Sequence, residues 1–254
     1  MYRVYHLGLS REDVAGVNLA LLPGAPERTE VLAQAFGKAR VLAFHREFKS
    51  VLAENEIGKI LVVSTGIGGS SLSIAVEELA RLGIQWFIRV GTCGAIQENI
   101  DVGDLVISEG AVRLDGASEH YAPLAYPAVA DWRVVRVLQE ACERAKIPYH
   151  VGITCSSATF YPGQERYDTF SRYVPRPFQG SLREWQALRV LNYEMEVATL
   201  LVIARVFGLY AGAVCGVLVN RTQEERVVEE KIPQVEERLA RVSALAARRI
   251  LEGF

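Results

Sequence analysis

With 254 residues, half of them hydrophobic and 23% charged, the chain sits at the upper end of a single domain and has the ordinary make-up of a globular protein with a sizeable core. Its 28 Lys and Arg against 30 Asp and Glu leave a formal charge of −2, which excludes a general field pulling it to nucleic acid or to an anionic membrane, so any anion must be met at a local site. The four cysteines, Cys93, Cys142, Cys155 and Cys215, show neither a CxxC pair nor a metal-ligand cadence and read as reduced thiols of a cytoplasmic protein.

In chain order, the start from Met1 to Gly8 lacks the basic-then-apolar design of a signal peptide. The apolar run 18–22 predicts a buried strand and leads into Pro23-Gly24-Ala25-Pro26-Glu27-Arg28. Phe44-His45-Arg46-Glu47-Phe48 follows, then a second buried run, 59–64, which ends in Thr65-Gly66-Ile67-Gly68-Gly69-Ser70-Ser71. Residues 72–82 read as a helix stopped by Gly83. The run 86–90 passes into Gly91-Thr92-Cys93-Gly94, and 104–108 is a further buried run. Val134, Leu138, Ala141, Cys142 and Ala145 recur at helical spacing behind Asp131, a candidate cap.

From Thr199 to Val219 nearly every residue is apolar, which is long enough to span a bilayer. Arg205 in mid-span would cost roughly 2.5–3.5 kcal/mol. Gly208 and Gly212 also divide the stretch, so it reads as a buried helix followed by a buried strand, 213–219. Pro233 opens a last helix whose Val235, Leu239, Val242, Ala246 and Ile250 form one stripe. Short apolar runs alternating with helices predict an α/β fold with a mixed central sheet. With no internal linker, 1–254 reads as one domain.

Ligands of such folds collect at strand carboxyl ends, and three of these are unusual. The glycines of 23–28, 64–71 and 91–94 let backbone amides approach an anion. Neither Gly66-x-Gly68 nor Gly91-x-x-Gly94 is a nucleotide-binding signature, and each fits a tight turn as well as a phosphate cradle. Arg89 is the one charge in an otherwise apolar strand and needs a partner, whether a structural carboxylate or a bound anion. Arg28 and Arg46 are further candidates, because guanidinium forks match phosphate oxygens two at a time. In Asn192-Tyr193-Glu194-Met195-Glu196 the two glutamates, two apart, cannot share a helix face. One is free to hold a cis-diol, since a carboxylate accepts two hydrogen bonds; an acidic first helical turn is the ordinary alternative. Phe160-Tyr161-Pro162-Gly163-Gln164-Glu165-Arg166 combines an aromatic face, an amide and a guanidinium. Such a set suits the edge of a planar heterocycle, or a surface loop with a proline turn.

These segments, in this order and over essentially the whole chain, resemble the uridine phosphorylases of the nucleoside phosphorylase superfamily. The likeness rests on PG-x-P-x-R (23–28), HREF (45–48), STGIGG (64–69), SIAVEELA (73–80), VRLDGAS (112–118), FYPGQERYD (160–168), NYEME (192–196) and VNRTQ (219–223). FYPGQER with the extra loop 171–186 looks like a uracil-reading insert. The resemblance implies a three-layer α/β/α sandwich around a mixed, distorted sheet. It implies reversible phosphorolysis of uridine to uracil and α-D-ribose 1-phosphate, leaving open whether deoxyuridine and thymidine are also taken.

Residue by residue, it implies that Gly24, Arg28, Arg89 and Thr92 bind phosphate, with Arg46 supplied by a neighbouring subunit. Met195 and Glu196 would hold the ribose, and His6 of the neighbour its 5′ hydroxyl. Phe160, Gln164 and Arg166 would surround the base, with Gly94 nearby and Arg221 bracing Gln164. Arg89, Glu196, Gln164 and Arg166 would carry the catalysis. Glu47, Ile67 and Ser71 match positions that hold a monovalent cation, often potassium, between subunits of a hexamer built as a trimer of dimers. No cofactor beyond inorganic phosphate as co-substrate is implied. Two departures stand out: Ala25 where relatives commonly have Asp, and Cys93 where Thr is usual.

Overall fold

Strands covered on both faces lose the apolar–polar alternation, and the runs read above are such strands. The computed structural model describes residues 2–253, with ten strands in one mixed sheet. They are β1 (Val17–Pro23), β2 (Lys38–His45), β3 (Phe48–Glu54), β4 (Lys59–Val63), β5 (Trp86–Ala95), β6 (Leu105–Leu114), β7 (Ala128–Val129), β8 (Tyr149–Ser157), β9 (Asn192–Glu194) and β10 (Tyr210–Asn220). The helices are α1 (Arg28–Phe36), α2 (Gly69–Leu82), α3 (Trp132–Ala145), α4 (Ser181–Ala187), α5 (Val197–Phe207) and α6 (Ile232–Glu252).

The sheet runs β2-β3-β4-β1-β5-β9-β8-β6-β10, with β7 on β6. β10 also pairs with β5, so five strands close into a ring at one end. β4, β1, β5 and β10 are mutually parallel, which puts their carboxyl ends on one edge with the glycine loops that follow β1 and β4. Gly91 to Gly94, expected to form a turn after Val90, instead continue β5 and pair with β10. Side chains alternate between two helical layers. Leu19, Leu21, Ile60 and Val62 pack with residues of α1, α3 and α6; Ala20, Leu22, Leu61 and Val63 pack with α2 and α5. This is the α/β/α sandwich that the resemblance implied.

The helix limits follow the expected chemistry. α2 stops at Gly83, whose φ of +101° a side chain rarely adopts. Asp131 accepts the Arg133 backbone N–H at 3.0 Å, and Pro233 lies in the first turn of α6. The apolar stretch 199–219 is α5, ended by Gly208, followed by β10. Among the described residues no helix is long and apolar enough to cross a membrane. The run 104–108 proves to lead into β6, of which 105–108 are the first four residues, and the expected loop 171–186 contains a short turn at Arg176–Phe178 and the start of α4.

Candidate active site

Past their strand ends, the loops after β1 and β4 stay zipped together. Thr65 N–H donates to Pro23 O at 2.9 Å and Gly66 N–H to Gly24 O at 3.0 Å. A Cβ at Gly24 would stand 3.2 Å from Gly66 O and 3.4 Å from Arg89 Nη2, so the glycine is what lets the backbone lie against the guanidinium. A cavity of about 520 Å³ opens here, between these loops, the start of α5 and the segment 160–166. A wider, mainly apolar groove of about 950 Å³ runs along β6 past Leu124, Trp132 and Trp185. None of the expected site residues lines it, so chemistry rather than size identifies the site.

Arg89 sits on β5 between β1 and β10 and shares the Phe87 face, which looks toward α5. It is fully enclosed: Nη2 donates to Glu196 at 2.6 Å, and Nη1 to Leu22 O and to Thr65 Oγ1, both at 3.2 Å. Burial opposes its charge, but Glu196 and Glu194 outweigh that and hold its pKa above the ordinary arginine value. Nε remains buried without a partner. Arg28, at the first position of α1, also has a buried, unpaired Nη1, and its loose ion pair with Glu236 spans 3.6 Å. Burial, and then the neighbouring Arg89, push its pKa down. Two guanidiniums that disfavour each other, each with an orphan N–H, form a site short of one anion. Thr92 lines the same cavity.

Glu196 precedes α5, and its carboxylate bridges two loops. Oε1 accepts Gly68 N–H at 2.6 Å and Oε2 accepts Arg89. A carboxylate has about four acceptor positions, so roughly two remain, one on each oxygen. Glu194 points elsewhere, accepting the N–H groups of Glu196 and Val197. Burial, and then the Glu196 charge, raise its pKa to about 7. The two glutamates therefore divide their roles, as their spacing required. Met195 lines the cavity beside them.

At the far end Gln164 and Arg166 are buried and Phe160 is half open, its ring centroid 4.4 Å from the Arg166 guanidinium. The Gln164 amide makes no hydrogen bond with the described protein residues. Arg166 Nε has no partner, and burial, followed by repulsion from Arg221, lowers its pKa. Arg166 pairs with Glu225, which also accepts Arg221 Nε at 2.8 and 2.9 Å. Arg221 thus braces Glu225, and its stem lies over Gly94, where a Cβ would come within 3.3 Å of Cδ. Cys93 lines the cavity as a neutral thiol, since burial lifts its pKa well above the usual range. Ala25 also lines the cavity. Asn220 turns away, its amide donating to the carbonyls of Gln97 and Ile100.

His6 and Arg46 do not line this cavity. His6 Nδ1 lies 2.8 Å from Glu78, with its ring against Phe48, and Arg46 is exposed at φ +52° in the turn joining β2 and β3. Both lie near Glu47, whose pKa is held below the ordinary carboxylate value by its own backbone and by Ser71 first, and then by Arg46 and His6. Ser71 donates to Glu47 Oε1 at 2.8 Å, and Ile67 stands exposed beside them. Sequence reasoning did not single out Glu225, Ser156 or the Arg89 contact of Thr65. Glu225 lies in the charged stretch 224–231, which reads as solvated, while Ser156 and Thr65 acquire meaning only through distant partners.

A sequence profile described as the phosphorylase superfamily matches residues 18–252. The chain is 54% identical to uridine phosphorylase of Salmonella typhimurium, with 98% of each chain covered. It is 45% identical to uridine phosphorylase of Thermococcus kodakarensis over 87% of this chain and 79% of that one. Against guanosine phosphorylase of Halorubrum lacusprofundi the identity is 35%, with 90% of each covered. The likeness runs from β1 to the last turn of α6 and takes in every loop around the cavity, so the chain belongs to the phosphorylase superfamily.

Proposed function

We propose that the chain catalyses the reversible phosphorolysis of uridine, with inorganic phosphate as co-substrate, giving uracil and α-D-ribose 1-phosphate for pyrimidine salvage in the cytoplasm. One observation carries the reading: buried, unpaired guanidinium N–H groups of Arg28 and Arg89 lie in the same cavity as a carboxylate with open acceptor positions. Gly24, Arg28, Arg89 and Thr92 hold the phosphate. Glu196 takes the 2′ and 3′ hydroxyls on its remaining lone pairs, beside Met195. Phe160 stacks on the base while Gln164 and Arg166 donate to its carbonyl oxygens, near Gly94 and Arg221.

A phosphate oxygen then bonds to C1′ from the face opposite the base as the C1′–N1 bond breaks. The electron pair leaves with uracil, which takes a proton from solvent. Positioning and electrostatics do most of the work: the negative Glu196 favours the cationic sugar, and the donors at 164 and 166 meet the departing charge. Whether deoxyuridine and thymidine are also taken turns on how much of the binding depends on the 2′ hydroxyl.

The oligomer is part of the proposal. His6 and Arg46 lie near Glu47 but outside their own cavity, which supports their reaching a neighbour's site, as in a hexamer built from dimers. Glu47 and Ser71 present a carboxylate and a hydroxyl 2.8 Å apart, hard oxygen donors that suit a monovalent cation. With Ile67 beside them they would hold such a cation, potassium for example, at the same contact.

The decisive measurement is uracil release from uridine with and without phosphate, with the sugar product identified. Release that continues after phosphate is removed would mean hydrolysis and end the proposal; faster turnover of inosine or guanosine would redirect it to purines. Gln164→Ala is expected to lower kcat/KM for uridine by about 2–3 kcal/mol, roughly 30- to 150-fold, because it removes hydrogen bonds to a charged leaving group. The KM for phosphate should hardly move. If both parameters collapse together, Gln164 does not read the base.

A further inference from the structure

Glu196 stands at the amino end of α5 with φ −138° and ψ −24°, where a residue's own side chain usually caps the helix. Its carboxylate cannot do so, because it faces the cavity between Gly68 and Arg89. The exposed N–H groups of the first turn are met instead by two residues outside the helix. Glu194, the last residue of β9, accepts Glu196 N–H at 2.7 Å and Val197 N–H at 3.0 Å. Ser156, on β8, accepts Ala198 N–H at 2.8 Å and gives its own hydroxyl hydrogen to Glu194.

We infer that Glu194 and Ser156 are positioning residues: a cap borrowed from two neighbouring strands frees the Glu196 carboxylate and aims it at the sugar. The inference rests on the sugar-holding role proposed above for Glu196. Both residues are buried and outside the set of groups assigned to substrate. Glu194 holds the backbone of Glu196 directly and Ser156 holds Glu194 and the Ala198 N–H, and a displacement of about 1 Å at Glu196 is enough to cost a large part of the diol's binding. Glu194 and Ser156 already occupy the N–H groups of Glu196, Val197 and Ala198, so these three donors are not left for phosphate, which stays with the arginines.

The consequence is selective. Ribose 1-phosphate touches both Glu196 and the arginines, whereas inorganic phosphate touches only the arginines. Calorimetric titration of Ser156→Ala and Glu194→Gln with each ligand should show ribose 1-phosphate binding weakened roughly tenfold, with phosphate affinity held. The amide of Glu194→Gln has one oxygen where the carboxylate has two, so a backbone N–H or the Ser156 hydroxyl loses its acceptor. Should that variant fail to fold, Ser156→Ala decides alone. A shift of about fivefold or more in the ratio of the two affinities supports the inference; a smaller shift, or equal loss of both ligands as a general structural defect would give, overturns it. A wild-type protein that binds phosphate but not ribose 1-phosphate would overturn the sugar-holding role of Glu196 as well, and so separates the two failures.

Discussion

Arg89→Ala is expected to lower kcat/KM for uridine by about 3–5 kcal/mol, between two and four orders of magnitude. Three losses coincide at this residue. On the proposed reading, phosphate loses a donor whose Nε is otherwise unpaired. Glu196 loses the partner that fixes Oε2 at 2.6 Å. Glu194 and Glu196 then share an enclosed site without the guanidinium that offsets them, so burial and mutual repulsion favour a protonated, neutral carboxyl. Without Arg89 the pKa of Glu194 rises further, its hold on the Glu196 backbone weakens, and a Glu196 carboxylate no longer fixed by the guanidinium holds the diol less well. Part of the loss should therefore appear in kcat and part in the KM for phosphate, a split that a simple phosphate contact would not give. Arg89→Lys restores charge without the fork and should recover only a fraction, since one ammonium cannot serve Glu196, Leu22 O, Thr65 and phosphate together. An Arg89→Ala enzyme within tenfold of the parent would remove this residue from the phosphate site.

How far the sequence revealed the site depends on how local the signal is. Leu19 to Leu22 read as a strand because both faces are covered, and Arg89 stood out because a charge among Phe87, Ile88 and Val90 must be explained by something nearby. The split between Glu194 and Glu196 was legible from their spacing. β2 was not legible: it is an edge strand with mostly exposed or half-buried residues, so burial imposes no run and no alternation. Nor was β9, whose three residues are defined by the strands on either side. Ser156 and Glu225 lack any local signature. One acts through residues about 40 positions away and the other joins two arginines 55 residues apart. The family resemblance supplied roles for residues; the closed ring of β5, β9, β8, β6 and β10 supplies the reason those residues meet.

Mixing two inactive variants should restore activity. Arg46→Ala and Arg89→Ala are each expected to fall below about 1% of wild-type turnover at low phosphate, since on the proposed reading each removes a charge-assisted donor from the same anion. Arg46 is exposed in the turn after β2 and absent from its own cavity, while Arg89 is buried inside it. If a two-fold dimer contact carries Arg46 into the neighbour's cavity, a mixed dimer has one site with both arginines and one with neither. Random pairing makes half the dimers mixed, so co-refolded or co-expressed chains should recover about a quarter of wild-type activity. If both arginines served the same chain's cavity, every site would lack one of them and mixing would change nothing. Recovery that rises with the mixing ratio to a maximum at equal amounts distinguishes the arrangements without any structure of the assembly. A flat response would confine the catalytic unit to one chain and leave Arg46 as a surface residue.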